Sequence, residues 1–450
     1  MNLTNFIQFT SPNAEPMQII SPSWKRKIIS HPAWVLVAAF GTYFCMYGFR
    51  KPYTAATYGG SDFLGVNYKF LLVIAQTIGY VAAKWIGIKF VSEVRRENRV
   101  KAILLLLGFA ESMLLLFGFT PRPWNMLFLL LNGLPLGVIF GLVLGFLEGR
   151  KNSEFLIAGL CASFIVSDGV SKSVGATLLN AGVTENWMPF FAGLVFMVPI
   201  SIFIAMLSVA PPPSVADVES RSARQPMTRT DRWAFFYKYA PGLSGIILIY
   251  LFATLLRSLR ADFAVELWTG LGYTKTPALF TNSELIVSFV VILITSMAVL
   301  IRNHHKAFQF SLFTSFLGFA LIIGTVIGLN NGLNSFLFMV LIGMGVYIPY
   351  VAVHAIIFER LIAITRERAN VGFLMYIVDS VGYTGYIGLL ILKYFTPSAD
   401  TLLSAFLKTS VSLGVLGTLI IIFCYLYFKV KLKRNEQSSI SFPAGQGSNI

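Results

Sequence analysis

The sequence predicts an all-α integral membrane protein with twelve transmembrane helices in two six-helix lobes. Of its 450 residues, 56% are hydrophobic and only 12% are charged, whereas ordinary soluble domains carry about 25% charged residues. Apolar runs of about 20 residues follow one another along the chain, and each is long enough to cross a hydrocarbon core of roughly 30 Å. These observations exclude a water-soluble protein, and they exclude a β-barrel, which would need short alternating segments.

Twelve apolar runs define the predicted spans, which we number in chain order. They lie at 33–57, 68–89, 100–119, 124–146, 155–181, 188–209, 240–262, 279–301, 307–328, 333–361, 370–394 and 400–428. A Pro-rich and Arg-rich stretch separates spans six and seven, and we interpret it as a linker. The resulting organisation is an N-terminal segment 1–32, a lobe 33–209, a linker 210–238, a second lobe 239–428 and a tail 429–450.

The basic residues predict the orientation of the chain in the membrane. The formal net charge is +15, and most of the 35 Lys and Arg residues fall in one alternating set of connections. This distribution is typical of the cytoplasmic face, so both termini are expected in the cytoplasm and nucleic acid is not an expected partner. The polar N-terminal segment lacks the order of a cleaved signal, so we expect span one to be retained. We expect a monomer in a bacterial inner membrane.

The two predicted lobes resemble each other weakly. Arg50 and Arg257 lie equally far from the starts of spans one and seven, so they should sit at similar depth. Asp168 and Asp379 occupy similar short stretches of spans five and eleven, each after a charged connection. Together with the six-plus-six count, these matches favour two tandem repeats with a substrate site between them near the midplane.

Three short motifs resemble a known family. They are Tyr47-Gly-Phe-Arg50-Lys51-Pro-Tyr53 in span one, Tyr80-Val-Ala-Ala-Lys84 in span two and Leu255-Leu-Arg257 followed by Asp262 in span seven. These resemble the organophosphate:phosphate antiporters of the major facilitator superfamily, although Pro52 stands where that family has Asn. The resemblance implies a major facilitator fold, transport by alternating access and a clamp of Arg50 and Arg257 around an anion.

Charged residues inside the spans are candidates for a binding site. A charge at the bilayer centre costs at least about 2.5 to 3.5 kcal/mol, so such residues normally face a cavity or a partner. Guanidinium groups bind phosphate and carboxylate bidentately and stay charged when partly desolvated. We therefore predict an anion site formed by Arg50, Lys51, Lys84 and Arg257. The alternative is that the two arginines lie at the ends of their spans and extend to the interface.

A second group of residues could couple ions to transport. Asp168 and Lys172 are four residues apart on one helix face, which predicts an intrahelical ion pair that is either structural or broken during transport. Asp379 has no basic residue within one turn, so we expect it to be protonated or to pair across helices. Glu284 either caps the N-terminus of span eight or belongs to a gate.

Span ten carries three polar residues on one face. Tyr347, Tyr350 and His354 follow helical spacing, with Pro349 as a possible kink. They are candidates for lining the cavity and hydrogen-bonding a ligand, while the alternative for His354 is a structural role. Glycines from Gly133 to Gly145 in span four should allow close helix packing.

Acid and base pairs recur in the charged connections of both lobes. The residues are Glu93 with Arg95 and Arg96, Glu148 with Arg150, and Glu359 with Arg360 and Arg366. We interpret them as gate contacts, and the alternative is ordinary positive-inside topology.

These residues lead to one main functional hypothesis and several alternatives. We expect a secondary active transporter of a small anionic organic solute, phosphorylated or carboxylated, with protons or phosphate as coupling ion. The alternatives are a proton-coupled symporter of a neutral solute such as a sugar, and a sensor that binds a ligand without transporting it. No nucleotide fold, zinc motif or catalytic constellation is found, so we expect no cofactor, no metal and no enzyme.

Overall fold

The computed structural model describes residues 23–59, 62–63, 65–148, 150, 153–213, 217, 229–273, 276–365, 371–395 and 401–440. Twelve of its helices are long and apolar enough to cross a membrane, so the chain is an all-helical integral membrane protein. Because twelve is an even number, span one begins and span twelve ends at the same face of the bundle. We call this face the termini face and the other the opposite face.

Each predicted span corresponds to one of these helices. In chain order they are Pro32–Met46, Tyr68–Glu93, Arg96–Phe119, Met126–Leu147, Ser153–Asn180, Met188–Ser208, Arg229–Asp262, Ala278–Leu300, His304–Asn330, Ser335–Ala352 with its continuation to Thr365, Val371–Phe395 and Leu402–Ile440. A short helix, Ser23–Ser30, precedes span one, and another, Ala264–Gly270, follows span seven. Two short strands, Asp62–Phe63 and Val66–Asn67, pair antiparallel between spans one and two.

Span one is shorter than the sequence predicts. Its α-helix ends at Met46, and two short 3₁₀ turns, Tyr47–Phe49 and Pro52–Ala55, follow it. Pro52 has no N–H to donate, so an α-helix that ran through this point would lose a backbone hydrogen bond. Arg50 and Lys51 therefore lie in the bend between the two turns.

Two further helices depart from regular geometry at or near a proline. Span seven begins at Arg229, inside the stretch predicted as a linker, and it has a non-helical residue at Tyr239 two positions before Pro241. Span ten changes to a π-helical turn over Val353–Ile357, four residues after Pro349, and continues as Phe358–Thr365. π-helical turns occur frequently at functional sites, because they re-aim side chains within a helix.

The packing separates spans one to six, the first half, from spans seven to twelve, the second half. The halves meet mainly where span two packs against span eleven and span five packs against span eight. A Cβ atom at Gly169 would lie 2.3 Å from the Phe280 carbonyl oxygen, so a glycine is required where spans five and eight touch. A Cβ atom at Gly133 would likewise lie 2.3 Å from the Gln76 carbonyl oxygen, which confirms the predicted close packing of span four.

Candidate functional site

Buried and partly buried ion pairs join the two halves at several depths. Lys69 pairs with Glu266 at 2.7 Å near the opposite face, and Lys51 pairs with Asp262 beside it. Nearer the termini face, Lys84 pairs with Asp379 at 2.8 Å. At the termini face itself, Arg360 reaches from span ten to Glu154 at the start of span five, at 2.7 Å. The interface between the halves is therefore held by charge at both ends.

Two arginines lie between these pairs without an acidic partner in the part of the chain that the structure describes. Arg50 and Arg257 are each only 4% exposed, and no carboxylate among the described residues lies within ion-pair distance of either guanidinium. The Arg50 Cζ atom lies 3.7 Å from the centre of the Tyr80 ring, and the Arg257 Cζ atom lies 4.7 Å from that of Tyr350. Aromatic faces stabilise a cation but do not neutralise it.

Tyr383 of span eleven brings the two arginines together. Arg257 donates a hydrogen bond of 2.8 Å to the Tyr383 hydroxyl. The Cζ atoms of Arg50 and Arg257 lie 5.7 Å and 5.6 Å from the centre of the Tyr383 ring. Arg50 Nε and Nη1 and Arg257 Nε are buried without a hydrogen-bond partner among the described residues. We call the group of Arg50, Arg257, Tyr80, Tyr350 and Tyr383 the arginine–tyrosine site.

Unsatisfied guanidinium N–H groups determine what this site can bind. A buried donor without a partner is costly, and a guanidinium presents several donors in one plane. Planar oxyanions such as phosphate and carboxylate match that plane bidentately. Two such groups from opposite halves, both directed at one ring, form a site that is suited to a small anion.

A family model described as a family of unknown function, DUF5690, matches residues 52–431. This chain belongs to DUF5690. No curated protein matches the sequence. The matched region includes Lys84, Arg257 and Asp379, and it begins two residues after Arg50. Most of the charged residues between the two halves of this DUF5690 protein therefore lie within the residues that match the family model.

Lys84 has an acidic partner in the DUF5690 structure, although the sequence predicts it as an anion ligand. Its ammonium donates to Asp379 Oδ2, and Asp379 also accepts a hydrogen bond from Tyr250. His354 Nε2 lies 3.6 Å from Asp379 Oδ1. Of the two predicted alternatives for Asp379, the structure therefore shows pairing across helices, and the positive charge of Lys84 is neutralised.

Lys51 is also paired, with Asp262, which accepts a further hydrogen bond of 2.9 Å from Tyr386. The predicted intrahelical pair of Asp168 and Lys172 is present.

The predicted cap role of Glu284 is wrong. The helix of span eight begins at Ala278, so Glu284 lies beyond its first turn, where no free N–H group is left to cap. Its carboxylate instead accepts from Arg260 at 2.6 Å, within the second half. Arg260 also donates to the Met339 carbonyl of span ten, so this pair ties spans seven, eight and ten together.

Span ten places its three polar residues together as predicted. The Tyr350 ring stacks on His354 with ring centres 5.0 Å apart, and it lies 6.4 Å from Tyr347. Phe164 of span five contacts Tyr350 edge-on at 5.6 Å, across the interface between the halves. Tyr350 therefore joins the arginine–tyrosine site to the residues around Asp379.

The predicted gate residues differ in how far they are buried, and some lie outside the described residues. The Glu93 side chain and Arg366 lie outside the described residues. Arg95 is exposed, whereas Glu148 and Glu359 are partly buried at the termini face. Arg150 donates to the Pro211 carbonyl at 2.6 Å. Arg360, predicted as a gate residue together with Glu359, forms an ion pair with Glu154.

Sequence reasoning missed three residues of this region. Tyr80 belongs to a noted motif without an assigned role, while Tyr383 lies four residues after Asp379 and so on the same helix face. Glu154 opens span five directly after a charged connection. Among the described residues, no three His, Cys, Asp or Glu side chains are grouped as a metal ion would require.

Proposed function

We propose that this protein is a secondary active transporter of a small anionic organic solute that works by alternating access. The observation that carries the proposal is the arginine–tyrosine site, in which Arg50 and Arg257 approach one ring from opposite halves without an acidic partner among the described residues. The resemblance to organophosphate:phosphate antiporters supports the same role for the same two residues.

The charge balance of the interface favours a dianion. By sequence, six basic and six acidic residues lie in or near the spans, a count that by itself suggests no net charge. The basic residues are Arg50, Lys51, Lys84, Lys172, Arg257 and Arg260, and the acidic ones are Glu111, Asp168, Asp262, Glu266, Glu284 and Asp379. In the structure, four of those acids are matched by Lys51, Lys84, Lys172 and Arg260. Glu266 is matched by Lys69, and Glu111 lies apart from the interface, in contact with span six. Among the described residues at the centre, the two arginines therefore remain without an acidic partner. A phosphate monoester carries about the charge that balances two guanidinium groups.

The ion pairs between the halves supply the moving parts of the proposed cycle. Lys51 with Asp262 and Lys69 with Glu266 hold the opposite face closed, while Arg360 with Glu154 holds the termini face closed. Opening at one face requires that its pairs separate while those at the other face remain. Anion binding at the two arginines attracts the halves toward each other and so favours a state with both faces closed.

A second candidate is proton-coupled symport of a neutral solute. The observation that favours it is the contact of Asp379 with Lys84, Tyr250 and His354, because a carboxylate shared by these groups can exchange a proton when the halves separate. In that case the arginines would position the tyrosine hydroxyl groups for a solute such as a sugar.

Ligand-dependent thermal stabilisation of the purified protein tests the proposal. A ligand that binds only the folded state raises the melting temperature, by an amount that grows with its concentration over its Kd. We expect stabilisation by phosphate monoesters, weaker stabilisation by monocarboxylates and none by neutral sugars. Stabilisation by sugars alone would contradict an anion site and favour the symporter.

Variants of the two arginines sharpen this test. Arg50→Gln and Arg257→Gln should each remove the phosphate-dependent shift, because truncating one partner of a buried charged contact costs about 2 to 5 kcal/mol of binding. Arg302→Gln, at an exposed position, is the matched control. Exchange of labelled phosphate ester across liposomes then separates a transporter from a sensor, since a sensor binds the ester without exchanging it.

A further inference from the structure

The contact between spans three and six contains an acidic side chain that no basic group among the described residues balances. Glu111 of span three is 7% exposed, and both of its carboxyl oxygens are buried without a hydrogen-bond partner among the described residues. It differs in this from the buried acids Asp168, Asp262, Glu284 and Asp379, each of which has a basic partner.

The elements around Glu111 carry no charge that could pair with it. Span three packs against span four, span six and the turn Tyr47–Phe49. The helices Met126–Leu147 and Met188–Ser208 contain no Asp, Glu, Lys, Arg or His, and the turn contributes Tyr47 as its one titratable residue. On span three itself, the other charged residues lie about 15 Å or more toward the termini face; they are Arg96, Glu97, Arg99 and Lys101.

Span six closes over the carboxyl group at a glycine. A Cβ atom at Gly193 would lie 2.1 Å from Glu111 Oε2 and 2.7 Å from its Cδ. The carboxyl group is thus packed against a helix backbone whose N–H groups are already used. An ionised carboxylate in such a place costs several kcal/mol, whereas a neutral carboxylic acid costs much less. We infer that Glu111 is a proton-binding site, occupied while spans three and six are packed together.

Hydrogen bonds connect this site to the turn that carries Arg50. Asn132 Nδ2 donates to the carbonyl of Ala110, next to Glu111, at 3.0 Å and to that of Phe49 at 3.2 Å. Gln76 Nε2 donates to Asn132 Oδ1 and to the Arg50 carbonyl, both at 2.9 Å. Separation of spans three and six, which would let water reach Glu111 and remove its proton, therefore also disturbs the backbone at Arg50. This part of the inference rests on the proposed function, because it links the proton to the bound anion.

A hydrophobic carbodiimide tests the proton site without any substrate. Dicyclohexylcarbodiimide takes the proton of a carboxylic acid onto nitrogen while the carboxyl oxygen bonds to its carbon, and the adduct rearranges to a stable N-acylurea. We expect peptide mass spectrometry to find this modification at Glu111 of the intact protein. Glu97, exposed on the same helix, is the matched control and should stay unmodified. Modification of Glu97 to the same extent, or an unmodified Glu111, would overturn the inference.

The pH dependence of stability gives a second readout. If the folded protein holds a proton that the unfolded chain releases, its stability falls as pH rises, because the folded state binds more protons. Glu111→Gln keeps the shape of the protonated side chain, so it should fold and lose less stability than the parent protein between about pH 6 and about pH 9. An identical pH profile in both proteins would contradict the proton site.

Repeating these melting curves with glycerol 3-phosphate tests the link to the anion. We expect the phosphate-dependent shift to depend on pH in the parent protein and to depend on it less in Glu111→Gln. Carbodiimide labelling without any phosphate-dependent shift would support the proton site and contradict the proposed anion transport. A phosphate-dependent shift with no labelling would support anion binding and contradict the proton site.

Discussion

Variants of Lys84 and Asp379 can show whether Lys84 serves as an ion-pair partner or as an anion ligand. The two side chains come from opposite halves, are separated by 295 positions in the sequence and are both buried. Removing one partner of such a pair leaves an uncompensated charge and costs about 3 to 5 kcal/mol, whereas removing both costs much less. Lys84→Met should therefore lower the melting temperature strongly, and Lys84→Met with Asp379→Asn should recover most of that loss.

The same variants separate an ion pair from an anion ligand. If Lys84 serves mainly the pair, the double variant keeps the phosphate-dependent thermal shift, because Arg50 and Arg257 are unchanged. Lys101→Met, on an exposed part of span three, controls for the loss of a lysine. Additive losses of stability in the single and double variants would contradict the pairing.

Single residues were predictable where their chemistry is unusual for their surroundings. Arg50 and Arg257 stand out in apolar spans, and both are buried without a carboxylate partner among the described residues, while the anion clamp itself stays a prediction. Tyr383 does not stand out, because a tyrosine in an apolar run is usually a packing residue. The partner of Lys84 was not predictable because sequence spacing reports only neighbours on the same helix.

The elements were predicted well in number and less well in their irregularities. A run of about 20 apolar residues is sufficient to locate a span, and the structure contains all twelve. The turns after Met46 and the π-helical turn at Val353–Ile357 were not predicted, because apolar periodicity does not report where a helix changes its geometry. The rotation of each helix was equally hidden, since every face of these spans is apolar.

The turn at Pro52 leads to a prediction about the position of Arg50. Pro52→Ala restores a backbone N–H that can join a helical hydrogen-bond ladder, so span one can extend and displace both basic side chains. We expect the variant to fold and to show a smaller phosphate-dependent thermal shift. The apparent affinity calculated from that shift should fall about tenfold, which corresponds to about 1.4 kcal/mol. Pro211→Ala, after the end of span six, is the control. An unchanged shift in Pro52→Ala would show that packing alone positions Arg50.

At the scale of the whole molecule, we propose that the ion pair of Arg360 with Glu154 holds the termini face closed. Arg360 donates hydrogen bonds to the Glu154 carboxylate and to the Val299 carbonyl. It also contacts His304 Nδ1. Cys161 lies seven residues after Glu154, on the face of span five that carries Phe164 and Asp168, and it is fully buried. Glu154→Gln should favour opening at this face and raise the rate at which maleimide labels Cys161, by about tenfold for each 1.4 kcal/mol of shift.

The chain contains its own controls for this measurement. Cys45 and Cys424 are also buried, and Cys424 packs against the Gly242 carbonyl, within the second half. A movement of one half against the other should leave the labelling rate of Cys424 unchanged. Equal increases at all three cysteines would indicate general loosening of the protein and contradict opening at one face.

The lysine-containing pairs between the halves have a directional pattern, which the Arg360–Glu154 pair at the termini face does not share. At the three positions nearest the arginine–tyrosine site, the lysine always comes from the first half and the acid from the second; the pairs are Lys51 with Asp262, Lys69 with Glu266, and Lys84 with Asp379. Two copies of the first half would bring lysines face to face, and two copies of the second half would bring carboxylates together. The charges at the interface therefore favour pairing of unlike halves. If the two halves were produced as separate polypeptides, we expect each to bind the other half and not a second copy of itself.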